Sequence, residues 1–134
     1  MTRTLGLAPS AAEIEAIARA ALDRLPAQFR RHLDPVVLLV EDFADEETLA
    51  EMGIEDPFDL TGLYKGVTLA GRGGEPTGTM PDRVRLFRRP ILDEWAARGD
   101  ETLEHLVAHV TIHEIGHHFG LSDEAMHALE EAAE

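Results

Sequence analysis

Two histidines four residues apart flank a glutamate in H-E-I-G-H-H-F-G-L-S-D, the string from His113 to Asp123. On a helix, positions i and i+4 lie one turn apart on one face, so the two imidazoles can converge on one cation. Zinc takes histidine nitrogen at about 2.0–2.1 Å, and such a pair can supply two of its ligands. Glu114 is rotated by about 100° from His113 and by about 60° from His117 at 3.6 residues per turn. It does not share their coordination direction, yet it can reach a water bound to the same ion. A general base needs that placement.

A catalytic zinc site normally has three protein ligands and one open position. With only 17 residues after His117, there is little room for a ligand from a distant later helix. Asp123 is the nearest candidate. Were the helix to continue, residue 123 would lie about 9 Å further along and about 240° round from His117. Gly120 changes this, because a glycine in the left-handed conformation ends a helix and reverses the chain. Leu121-Ser122-Asp123 can then return a carboxylate to the ion. His127 is the rival third ligand, and Asp123 could instead cap a terminal helix over 124–133, a task Ser122 could also perform. His109 suits a supporting or surface role better than direct contact. His118, about 100° from His117, reads as a core-edge histidine. Tyr64, the only tyrosine, could stabilise an oxyanion, but a strand tyrosine packed at the core edge is the favoured reading.

The elements that must position these residues follow from pattern. Ser10 with Glu13 forms a capping-box signature, and Ile14, Ile17, Ala18, Ala21, Leu22 and Leu25 repeat at helical spacing until Pro26. Val36 to Val40 is uniformly apolar and reads as a strand covered on both faces. A short helix is expected over Asp45–Met52, stopped by Gly53. Strands are expected over Leu63–Leu69 and Val84–Leu86, the latter with Arg83 and Arg85 facing out, and a loop over Gly71–Pro81. Pro90 opens a helix to Arg98. Asp100 caps a long one from about Glu101 to Phe119, whose two apolar stripes imply burial on two sides. Polar His113, Glu114 and His117 beside such a stripe require partners.

Composition narrows the function classes. The 134 residues suit a single domain, 1–134, and the absence of cysteine excludes disulfides and thiolate chemistry. A net charge of −14 argues against nucleic-acid or anionic-membrane partners. Neither a signal peptide nor a membrane span is recognisable in the sequence, so a cytoplasmic protein is expected.

The motif H-E-I-G-H-H-F-G-L-S-D-E (113–124), with L-T-G-L-Y-K-G-V (60–67) and P-D-R-V-R-L-F-R-R-P-I (81–91), resembles the small bacterial zincin-like metallopeptidases. The H-E-x-x-H-x-x-G-x-x-D pattern is similar to snapalysin-type proteases, in which aspartate is the third ligand. The resemblance implies an α+β fold, with a small mixed sheet packed against an N-terminal helix and the active-site helix. It implies one Zn2+ ion on His113, His117 and Asp123, with Glu114 as the base that activates a metal-bound water against a peptide bond. It also implies a substrate-lining edge strand, for which Leu63–Ala70 is the candidate. Met126 lies too close to Asp123 for a metzincin methionine turn and reads as a helix residue. The alternative to a peptidase is a metal-binding or regulatory protein on the same scaffold, its site closed by a fourth ligand such as His127 or Glu124.

Overall fold

The computed structural model describes residues 7–33, 36–66 and 82–132. Helix α1 spans Ala11–Asp23, and Ser10 Oγ accepts the Glu13 amide at 3.1 Å, as the capping signature requires. A single helical turn, α2, follows at Ala27–Arg30, behind Pro26. Strand β1 (Val37–Glu41) leads to α3 (Glu46–Met52), which Gly53 stops at φ 68°. After a 3₁₀ turn at Pro57–Asp59 come β2 (Gly62–Lys65) and β3 (Arg83–Phe87). Three helices complete the chain: α4 (Arg88–Arg98), α5 (Leu103–Phe119) and α6 (Asp123–Ala132). The expected loop at 71–81 and the strand residues 67–70 lie outside the described residues.

The sheet has the order β1-β3-β2. β1 runs parallel to β3 and β2 antiparallel to it, which makes the small mixed sheet of an α+β fold. Its inner face carries Leu38, Val84 and Leu86, which join Ile14 and Ala18 of α1 and Leu106, Val107, Val110 and Ile115 of α5 in one core. α5 packs against α1, β2, β3, α4 and α6. The burial on two sides expected from its two apolar stripes is what the fold provides.

Three local expectations are corrected. Strand β1 is not covered on both faces among the described residues: Leu38 is buried, while Val37 and Leu39 are each 38% exposed. An all-apolar run carries no signal for which face is covered, and the helices of the main core take only one. Arg85 does not face open solvent. It points to the outer face of the sheet, but its side chain is only 12% exposed. Its guanidinium donates to Glu41 at 2.8 Å, Thr48 at 3.0 Å and Asp45 at 3.1 Å, and stacks over Phe87. These bonds tie α3 to the sheet. Helix boundaries shift as well. α4 starts at Arg88, with Pro90 inside its first turn, and Thr102 caps α5 by accepting the His105 amide at 3.0 Å. Threonine directly before the apolar run served better than the earlier Asp100.

Candidate active site

The site is built on the C-terminal half of α5. His113 and His117 both face outward from it, exposed, with ring centroids 5.2 Å apart and planes tilted by 58°. Their spacing on one helix face produces the pairing that the sequence implied. His109, one turn earlier, stacks on His113 at 6.2 Å with 30° between planes.

Glu114 turns the other way and is 9% exposed. A carboxylate in that position needs a donor, and a backbone amide supplies it. Tyr64 N–H donates to Glu114 Oε1 at 3.0 Å. Strand register explains why this amide is available. Phe87 N–H bonds Thr61 O, and Leu63 pairs with Arg85, so Tyr64 occupies the alternate position opposite Val84. In an antiparallel pair the amides at such positions point away from the partner strand. The approach of β2 to α5 depends on Gly62. A Cβ there would meet Val110 Cγ1 at 2.8 Å and Glu114 Cγ at 3.3 Å. His117 Nδ1 lies 3.7 Å from Glu114 Oε1, so carboxylate and imidazole are neighbours without a hydrogen bond.

At the end of α5 the chain reverses as its glycine implied. Gly120 adopts φ 67°, ψ 31°. Leu121 N–H bonds Gly116 O at 2.9 Å and Gly120 N–H bonds His117 O at 3.1 Å. These are the paired bonds of a Schellman motif. Ser122, not Asp123, caps α6, its Oγ accepting the Ala125 amide at 3.2 Å. Asp123 is the first residue of the helix and is exposed. α6 then folds back on α5, with Met126 buried against Gly116, where an added Cβ would collide with its sulfur. Met126 is thus a helix residue, as expected, and it explains why the site helix carries glycine at 116.

The two imidazoles are brought together. Asp123 is not drawn in with them, and among the described residues no group of three His, Asp or Glu side chains converges tightly enough to hold a cation. The donor set still fits zinc in kind, since two outward imidazoles at this spacing offer nitrogen ligands and Asp123 an oxygen. His127 Nε2 lies 3.3 Å from Glu131 on the exposed side of α6, and His105 bonds Glu101 at 2.6 Å. The side chain of His118 lies outside the described residues. Tyr64 packs its ring on the main core, as a strand tyrosine at the core edge does.

Sequence reasoning missed the Tyr64 amide, because a backbone donor leaves no mark in a side-chain motif. It also missed Gly62. A glycine entering an apolar strand is the one signal that pointed to close approach there. No helix is long and apolar enough to cross a membrane among the described residues. A search of curated proteins returns no match. The model of the zincin-like metallopeptidase family, however, matches residues 33–133, from before the first strand to the end of α6. With the motif helix, the mixed sheet behind it and three quarters of its length inside that match, the chain belongs to the zincin-like metallopeptidase family.

Proposed function

We propose that the chain is a zinc-dependent peptidase, with His113, His117 and Asp123 holding one ion and Glu114 acting as general base. The observation that carries this reading is the division of labour on one helical turn. His113 and His117 present their rings outward, while Glu114 is held at one oxygen by the Tyr64 amide. When bound, zinc supplies a Lewis acid that polarises the scissile carbonyl and brings the pKa of a water toward ~7.

The remaining steps belong to the chain's own groups. Glu114 takes a proton from the attacking water on the oxygen that Tyr64 leaves open. The water oxygen bonds to the carbonyl carbon, the C–N bond breaks, and Glu114 returns the proton to the leaving amine. β2 lies at an edge of the described sheet, and its residue-64 amide faces the base. An extended peptide laid along that edge passes Glu114, the arrangement β-augmentation gives. The pairing of His127 with Glu131 on the exposed side of α6 supports a site with an open position over one closed by a fourth ligand.

Metal analysis tests the ligand set. Untagged wild type is expected to carry one zinc per chain and His117→Ala to carry none after dialysis. Equal zinc in both would remove this pair from the site.

A further inference from the structure

His109 Nδ1 and Glu130 Oε1 lie 2.6 Å apart, joining α5 to α6 across 21 residues. A carboxylate oxygen accepts, so Nδ1 carries the proton. The Glu130 side chain is 17% exposed and the His109 side chain 45%, so the contact is sheltered on its carboxylate side. We infer that the Glu130–His109 pair is a positioning device that sets the register of α6 on α5, and through it the presentation of Asp123 to His113 and His117. The inference rests on the ligand set proposed above.

Helix geometry carries it. Asp123 and Glu130 are seven residues apart, so they share one stripe of α6 to within about 20° and lie about 10.5 Å apart along its axis. The Schellman reversal sends α6 back along α5, and two contacts fix how far. Glu130 meets His109 and Met126 meets Gly116. Stepping back along that register from Glu130 by seven residues puts Asp123 level with about residues 116–119 of α5, the turn that holds His117. Ser122 fixes where α6 begins and Met126 fixes its separation from α5. The Glu130–His109 bond is directional at the far end, and it sets rotation and slide there. His109 also stacks on the His113 ring, so the same bond limits how that ligand can turn. Supporting partners of this kind typically change metal affinity by about 10–100-fold when lost.

Zinc affinity by chelator competition on the metal-free full chain tests the device. Glu130→Ala is expected to weaken binding by about 10-fold, and Glu130→Gln, which keeps an acceptor for Nδ1–H, to stay within about 3-fold of wild type. His109→Phe keeps a ring beside His113 but cannot bond Glu130, and should lose as much as Glu130→Ala; it also serves if that variant does not fold. The deciding readout is coupling. In an Asp123→Ala background most of the Glu130→Ala effect should vanish, because Glu130 acts through Asp123. Unchanged affinity in Glu130→Ala and His109→Phe, or a full additional loss in the Asp123→Ala background, overturns the positioning role. If His113→Ala binds zinc as tightly as wild type, the ligand set itself fails instead.

Discussion

Glu114 is buried with one backbone anchor, and the histidines beside it are exposed; that contrast is set by position on a single helical turn. The pairing of His113 with His117 and the separate direction of Glu114 were legible from spacing alone, because helical periodicity fixes them wherever the helix forms. Gly120 was legible too, since its residue type signalled the left-handed cap found at φ 67°. Replacing it by Ala should cost roughly 1–2 kcal/mol, the penalty of a Cβ in that conformation, read as a drop in thermal midpoint. An unchanged midpoint would mean that the reversal does not depend on glycine. The anchor on Glu114 was not legible, because it depends on which amide of β2 faces outward, and register is a property of two strands.

At the level of elements, α5 is the scaffold, β2 supplies the amide that anchors Glu114, and α6 packs back on it through Met126. The order of the longer helices and strands could be read from periodicity and caps, and it held along the described chain, whereas the single turn α2 and the 3₁₀ turn left too short a pattern to read. Which face of β1 is covered could not, since Val36 to Val40 is apolar throughout and only packing selects Leu38 over Val37 and Leu39. The approach of β2 to α5 makes a direct prediction. Gly62→Ala introduces a Cβ at 2.8 Å from Val110 Cγ1, which must push strand and helix apart. Overpacking of this kind costs about 1–3 kcal/mol. Because it also strains the Tyr64–Glu114 bond, peptide hydrolysis should fall while zinc content holds. Wild-type activity with a lowered thermal midpoint would show that the strand anchor does not serve the base.

At the scale of the whole molecule, one pH-dependent contribution to stability sits on the outer face of the sheet. A hydrogen bond from Thr48, and then those from Arg85, bring the Asp45 carboxyl from 3.8 down to about 2. Its folded value lies below its unfolded value, so its contribution to stability is full above about pH 3.8 and fades as the pH falls toward 2. Asp45→Asn should therefore show a shallower loss of stability than wild type between pH 4 and pH 2, in acid unfolding followed by circular dichroism; parallel curves would place the acid sensitivity elsewhere. The chain belongs to the zincin-like metallopeptidase family, and in the peptidase proposed here Glu114 is the residue on which activity turns. The most direct test compares wild type with Glu114→Gln for zinc content and for cleavage of a peptide library. Both should hold one zinc per chain, with cleavage by the variant lower by about 10²–10⁴-fold, the share a positioned base contributes. Cleavage at the wild-type rate by a zinc-loaded Glu114→Gln chain would contradict the assignment of Glu114 as the base.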